Sequence, residues 1–340
     1  MKSKLFLTFW SVLLLSTIMF QFSSCSESNA QDKTNAFTYA TVSIDFNDQS
    51  LTYKNLRLYP VRAKDNLYNQ QSDYGKYVSL QDALKSEKVE ISEKSISGQN
   101  SDEVNKLFVE NTSGDTIMLL AGEIVKGGKQ DRTLASDVVL PPGKGKVDLD
   151  VFCVEHGRWD EKEANRDANK PLEEKKFKQT TAIAKPSVRK NASVDKEQSK
   201  VWEKVAEVNM KAGNATSTSA YTAFDENADY QKQEKEYLTF FKSKMPNDDR
   251  IIGVVAVSGN RVIGCDIFAT RQMFDDAWSK LLPSFINEAI YDGGKVTMSG
   301  SDVKKYTDQL LTSEQNQRKY LEKNGKLFKH NNRVMHLASY

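Results

Sequence analysis

Two apolar arms separated by three residues constrain this chain more than any other feature. Ile251-Ile252-Gly253-Val254-Val255-Ala256-Val257 and Arg261-Val262-Ile263-Gly264-Cys265-Asp266-Ile267-Phe268 flank the turn Ser258-Gly259-Asn260. A strand with one wet face alternates apolar and polar side chains, whereas arms that are apolar nearly throughout belong to a hairpin covered on both faces. The chain must therefore place this hairpin near the centre of an antiparallel sheet and supply layers to cover it. Just beyond, Thr270 caps a helix whose apolar residues are Phe274, Ala277, Trp278, Leu281, Leu282, Phe285 and Ile286, and Pro283 is expected to bend or break it.

The first half reads mostly as strands. Phe37 to Phe46 alternates, with Ala40, Val42, Ile44 and Phe46 on one face, and Leu51 to Val61 is a second strand with Pro60 near its end. Ser79-Leu80-Gln81-Asp82 has the form of a capping box that starts a short helix through Lys85. Val89 to Glu93 alternates. Lys106 to Glu110 and Thr116 to Leu120 flank the turn Thr112-Ser113-Gly114-Asp115 as a hairpin, and Val138 to Leu140 with Val147 to Cys153 form a second, wider one. Residues from about 160 to 200, rich in Lys, Glu, Asn and Thr with Pro171 and Pro186, read as a solvated, partly helical insertion. Gln198 to Val205 starts an amphipathic helix, and Asp229 to Lys242 is a charged one. Residues 291–340 mix strand and helix signals. The expected class is α+β: a largely antiparallel sheet or sandwich-like first half, then the apolar hairpin and covering helices, in one globular domain spanning 37–340.

The first residues speak to compartment. Lys2 and Lys4 precede an apolar run from Leu5 to Phe20. That is short for a membrane-spanning helix, which needs about 20 residues, and fits the core of a signal peptide. Phe22-Ser23-Ser24-Cys25 then forms a lipobox, so residues 1–24 are a lipoprotein signal and Cys25 becomes the acylated N-terminus. An ordinary secretory signal is the alternative. Residues 25–36 are polar, with too little apolar surface to fold, and serve as a tether. The mature chain sits on the exported side of a bacterial membrane, periplasmic or at the cell surface. Of 48 basic and 46 acidic residues, Lys2 and Lys4 leave with the signal, so the mature balance is 46 against 46. That even balance argues against nucleic acid as a partner, since such binders carry a basic excess. Cys153 and Cys265 are too few for a disulfide framework. They read as small buried hydrophobes, with pairing as the alternative.

Two segments carry the chemistry: Gly127-Gly128-Lys129-Gln130-Asp131-Arg132 and Cys153-Val154-Glu155-His156-Gly157-Arg158-Trp159. The first is not a phosphate loop. Five residues separate Gly122 from Gly128 where four are needed, and Gln130 replaces the metal-binding Ser or Thr. Its glycines either make a tight turn or offer N–H groups to an anion. Glu123, Asp131 and Glu155 are the nearby carboxylates. Two of them converging would suit acid and base roles in glycoside cleavage, while Glu155 paired with Arg132 or Arg158 would be structural. Cys153 with His156 suggests a nucleophile and base, but neighbours three apart on a strand face opposite ways. No second Cys/His cluster accompanies them, so no metal site is expected. Arg158 can clamp a carboxylate or phosphate and Trp159 can stack on a flat ring, unless Trp159 is a core plug.

These segments, with Leu119-Leu120-Ala121-Gly122-Glu123, resemble the bacterial "ARG and rhodanese-phosphatase-superfamily-associated protein" domain. Gln198-Ser199-Lys200-Val201-Trp202 and Gly264-Cys265-Asp266-Ile267-Phe268, followed by Phe274 and Trp278, match its later half, so the resemblance runs from about Leu51 to about Ile290. The family has no settled activity and leaves any cofactor unknown. Its name implies genomic association with ADP-ribosyl glycohydrolase-like and phosphatase-like proteins, which points to nucleotide-derived ligands. The reading is a lipid-anchored envelope domain binding an anionic or sugar-like ligand, or an envelope protein, through Gln130, Asp131, Arg132, Glu155, Arg158 and Trp159. One alternative is a hydrolase of a glycosidic or ADP-ribosyl-type bond using Glu155 with Glu123 or Asp131; another is a structural envelope protein. In its native host, wild-type protein should take up an alkyne-tagged palmitate analogue and sediment with membranes. Cys25→Ala should lose both properties; a labelled, membrane-bound Cys25→Ala protein would rule out acylation at this residue.

Overall fold

The computed structural model describes residues 35–93, 105–155, 157, 176–213 and 219–340, which belong to one compact unit. The signal, Cys25 and most of the tether lie outside the described residues, as do His156, Arg158 and Trp159.

The apolar arms pair as their composition demands. Ile251–Ser258 and Arg261–Phe268 form an antiparallel hairpin, and every residue of the first arm is buried. It lies in the middle of a seven-stranded sheet in the order Val42–Ile44, Leu56–Ala63, Ile251–Ser258, Arg261–Phe268, Arg333–Ser339, Gly325–His330, with Thr52–Tyr53 folded back onto Leu56–Ala63. Strands from both ends of the described chain thus flank the hairpin. The alternation from Phe37 to Phe46 yields only three strand residues, because Thr38 and Thr41 spend their hydroxyls on a local turn.

A second sheet closes on itself. Its order is Val147–Cys153, Lys106–Asn111, Val89–Glu93, Lys176–Ile183, Glu123–Gly127 and Arg132–Leu134, with the last strand pairing back to the first. Val89, Ile91, Leu107, Val109, Val125, Leu134, Leu149, Val151 and Phe177 fill its interior, and the helix Leu80–Lys85, capped by Ser79, adds Leu80 and Ala83. Neither hairpin expected in this half forms. Asn111, at the end of its strand, holds the Thr112–Asp115 turn by accepting from the Ser113 N–H (3.0 Å) and donating to the Asp115 and Leu140 carbonyls (2.7 and 2.9 Å). The chain then leaves the barrel: Ile117–Leu119 joins Val138–Leu140 and, in parallel, Val78–Ser79 in a small separate sheet. The insertion expected at about 160–200 also differs. Lys176–Ile183 is a barrel strand, and Pro186–Lys190 is a helical turn with Arg189 buried, as is Lys185 just before it. Charged composition misleads here because those charges are matched by distant carboxylates.

The helix Arg271–Tyr291 packs on both arms of the central hairpin and on the barrel strand Lys176–Ile183. Thr270 caps it by accepting from the Met273 N–H (3.2 Å). Pro283 does not end it: the carbonyl that loses its partner belongs to Ser279 on the exposed face, open to solvent.

Four buried charges join these parts. Arg189 donates two bonds to Asp266, Nη1 to Oδ2 (3.0 Å) and Nη2 to Oδ1 (2.6 Å). His336 bridges Asp266 (Nε2, 3.0 Å) and Asp137 (Nδ1, 2.8 Å), and Asp137 accepts the Ala121 N–H (2.7 Å). Burial alone would raise the Asp266 pKa, but Arg189 and His336 outweigh it and hold the carboxyl at about 2. Burial would lower the His336 pKa, but Asp137 and Asp266 lift it to about 9. His336 therefore contributes stability fully below its ordinary pKa of 6.5, and that contribution is lost as pH rises through about 9. Asp266 contributes above its ordinary 3.8 and loses that contribution as pH falls through about 2. Urea unfolding should show stability declining between pH 6.5 and 9. His336→Asn should lower stability overall and flatten this decline; an unchanged slope would place its origin elsewhere.

Candidate functional site

The glycine-rich segment is the turn between two adjacent barrel strands, Glu123–Gly127 and Arg132–Leu134. Gly127 and Gly128 have φ of +136° and +54°, which only glycine adopts easily. Space is equally restrictive. A Cβ on Gly127 would lie 2.7 Å from the Lys176 carbonyl oxygen, and one on Gly128 2.4 Å from Phe177 Cζ. Three N–H groups of this turn point to the protein's own carboxylates. Gly127 donates to Asp131 Oδ1 (3.2 Å), Lys129 to Glu93 Oε1 (2.7 Å) and Asp131 to Glu155 Oε2 (3.0 Å). The turn is therefore organised as a carboxylate-braced corner and not as an open nest of N–H groups.

Arg132 faces into the barrel. It pairs across the ladder with Val125 on one side and Cys153 on the other, and directly opposed residues share a face. Its side chain is 0% exposed. Nη1 donates to Gln130 Oε1 at 3.3 Å and Nη2 lies 3.9 Å from Glu93 Oε2, while Nε and Nη2 have no hydrogen-bond partner among the described residues. A buried guanidinium is normally satisfied at every donor. Here one charge sits at the inner end of a barrel with half of its fork unspent.

Glu93 and Gln130 take the role at Arg132 that sequence reasoning offered to Glu155. Cys153 shares the Arg132 face, but burial pushes its thiol up more than the neighbouring Arg132 charge pulls it down. Its backbone is bracketed by Gln198, which accepts the Cys153 N–H (2.8 Å) and donates to its carbonyl (2.9 Å). The thiol is thus held protonated, which disfavours a nucleophile. Both Cys153 and Cys265 are free and buried.

The three suspected carboxylates divide. Asp131 and Glu155 meet at the corner, whereas Glu123 belongs to another group: its Oε1 takes the ammonium of Lys280 and its Oε2 accepts the Leu120 N–H (2.8 Å). Lys280, Asp137, Asp266, His336 and Arg189 escaped sequence reasoning. The available signal was a charge inside an apolar pattern, as at Asp266 within Ile263 to Phe268 and Lys280 between Ala277 and Leu281. All of these contacts converge on Leu120-Ala121-Gly122-Glu123. Glu123 holds the Leu120 N–H, Asp137 holds the Ala121 N–H, and Gly122 (φ +88°) leaves room for Arg189, whose Cγ would lie 2.6 Å from a Cβ there.

Residues 46–337 match the model of the ARG and Rhodanese-Phosphatase-superfamily-associated Protein domain. The chain belongs to this family. The match takes in the barrel, the central hairpin, the long helix and most of the last strand. No curated protein and no solved structure matches the chain. In this family member the segments that carry the resemblance have visible physical tasks: the first is the crossing point of the buried charges, the second the glycine corner, and Gln198 the brace on Cys153.

The Glu123–Lys280 pair allows a direct test. Both side chains are at most 5% exposed, so removing one partner strands a buried charge. Lys280→Met should cost about 3–5 kcal/mol in urea unfolding, and adding Glu123→Gln should recover much of it. A single variant within 1 kcal/mol of wild type would show that the pair carries little weight.

Proposed function

We propose that this is a lipid-anchored binding domain of the bacterial envelope that takes an anionic, sugar- or nucleotide-like ligand at the Arg132 end of the barrel. Arg132 carries the reading: its side chain is wholly buried, faces the barrel interior, and has Nε and Nη2 unsatisfied. Among the described residues this desolvated cation has one hydrogen bond, to Gln130, and one carboxylate, at 3.9 Å; such a charge is costly, and the oxygens of a phosphate, sulfate or carboxylate are the natural complement to the remaining guanidinium edge. Gln130, Asp131 and Glu155 stand at the same corner and supply polar partners for hydroxyl groups. Arg158 and Trp159, outside the described residues, follow in sequence and suit the remaining sugar or base.

Hydrolysis by paired carboxylates has less support. Glu123 is neutralised by Lys280, and Asp131 and Glu155 each accept a backbone N–H of the corner. The lipid anchor rests on the Lys2 to Cys25 pattern, and several acyl chains on one cysteine hold a protein at a membrane where one chain would be marginal.

Thermal-shift measurement with inorganic phosphate, sugar phosphates and ADP-ribose tests this reading. A ligand at a hundredfold its Kd adds about 2.7 kcal/mol, a shift of a few degrees for a chain of this size. Arg132→Lys keeps the charge but loses the fork, so it should weaken binding at least tenfold with a smaller change in the unliganded Tm. Equal affinity in the variant would move the site elsewhere. No shift with any anion, and a variant that melts several degrees lower, would make Arg132 a structural residue.

A further inference from the structure

A cleft of about 400 Å³ lies between the helix Leu80–Lys85 and the barrel strand Lys176–Ile183. That volume is within the range of small-molecule sites. The helix contributes Gln81, Leu84 and Lys85 to its lining, and the strand contributes Lys178, Gln179 and Thr180. Unused polar capacity sets this cleft apart. Thr180 is 5% exposed, and its Oγ1 has no hydrogen-bond partner among the described residues, although a buried hydroxyl normally finds one. Thr180 stands directly opposite Val125 in the ladder and so shares its inward face, the side on which the helix packs through Leu80 and Ala83. The side chains of Gln81, Lys85, Lys178 and Gln179 also make no hydrogen bond or ion pair among the described residues. The acidic neighbours are engaged elsewhere: Asp82 accepts from the Ser79 hydroxyl (2.8 Å), and Glu90 pairs with Lys176 (2.9 Å). No carboxylate lines the cleft.

We propose that this cleft is a second binding site and takes an acidic sugar, a hydroxylated ring that bears a carboxylate or a phosphate. The acid group sits on Lys85 and Lys178, and the ring hydroxyls on Gln81, Gln179 and Thr180. The lining selects this class. Two unpaired ammonium groups repel a cation. An apolar guest would cover the Thr180 hydroxyl and both amides without pairing them, which is costly. A bare inorganic anion would use the lysines and leave the amides idle. A primary amide both donates and accepts, as sugar hydroxyls do, and Leu84 offers one apolar surface to the C–H face of the ring. Arg132 does not line the cleft, so this site and the Arg132 site stand or fall separately.

The test is a protein-observed NMR titration of the full chain in detergent, read at the amides of Gln81–Lys85 and Lys178–Thr180. The probes are glucuronate, glucose 6-phosphate, glucose and acetate. At least one acidic sugar should bind several-fold more tightly than glucose and acetate, and the tighter of the two assigns the acid as carboxylate or phosphate. Lys85 and Lys178 are both exposed, so Lys85→Gln and Lys178→Gln should each weaken that binding about threefold to fivefold, and the double variant about tenfold. Thr180→Val keeps the shape and deletes the hydroxyl. It should weaken binding about fivefold, yet melt no lower than wild type without ligand, because the deleted group had no partner to lose. Arg132→Lys should leave the titration at these amides unchanged. Equal affinity for the acidic sugars and glucose, or wild-type affinity in the double lysine variant or in Thr180→Val, would overturn the proposal. So would amide shifts that vanish in Arg132→Lys, which would return the ligand to the Arg132 site.

Discussion

The assembly depends on a cluster of buried charges that is neutral overall. Arg189 and His336 supply two cations; Asp266 and Asp137 supply two anions. Any of them alone would be prohibitively costly away from water. Together they satisfy one another through charge-assisted bonds of 2.6–3.0 Å. The cluster joins the central hairpin through Asp266, the last strand through His336, the segment after the barrel strand Lys176–Ile183 through Arg189, and the start of the strand Val138–Leu140 through Asp137. His336 is further fixed by stacking on Phe268 at 4.2 Å, and Arg189 by the ring of Tyr340 at 4.8 Å. Because a buried pair often stabilises no more than an apolar replacement would, its physical value lies in specifying one arrangement of the sheet and the barrel.

A backbone corner is threaded through that cluster. Leu120, Ala121, Gly122 and Glu123 carry the chain from the small sheet into the barrel, and each has a separate constraint there: an N–H held by a carboxylate, a second held by another, a missing side chain that admits a guanidinium, and a carboxylate on a lysine of the long helix. The glycine corner at Gly127 and Gly128 follows the same logic at the far end of one strand. Both places show backbone brought so close to other groups that a single carbon has no room. That accounts for glycine-rich segments without a bound phosphate, and leaves Arg132 as a buried cation with two side-chain nitrogens unpartnered among the described residues.

The central hairpin, the long helix with its Thr270 cap, the Ser79 capping box and the α+β class were legible because each is local: alternation, continuous apolarity and cap chemistry act within a few residues. The barrel was not legible. Lys106–Asn111 and Ile117–Leu119 look like partners in sequence, yet Asn111 turns the chain out of the sheet by bonding to Leu140, which is far along the chain. Lys176–Ile183 looks solvated because Lys176, Lys178 and Gln179 are exposed, while Phe177 and Ile183 are buried. Of the suspected site residues, Asp131, Arg132 and Glu155 are near one another, while Glu123 faces a lysine more than 150 positions later, which no spacing rule reaches.

The sequence by itself determined the covered hairpin, the helix that packs on it, the even charge balance, the signal-like first residues and the segments to suspect. These follow from composition and short-range periodicity, which need no knowledge of distant neighbours. Only the tertiary structure decided which strands close the barrel, which carboxylate meets which cation, and that Arg132 points inward with donors to spare. A charged side chain has no fixed meaning in a sequence. The same lysine is a wet surface group or a buried anchor according to whether the fold brings a carboxylate within about 3 Å and excludes water around it.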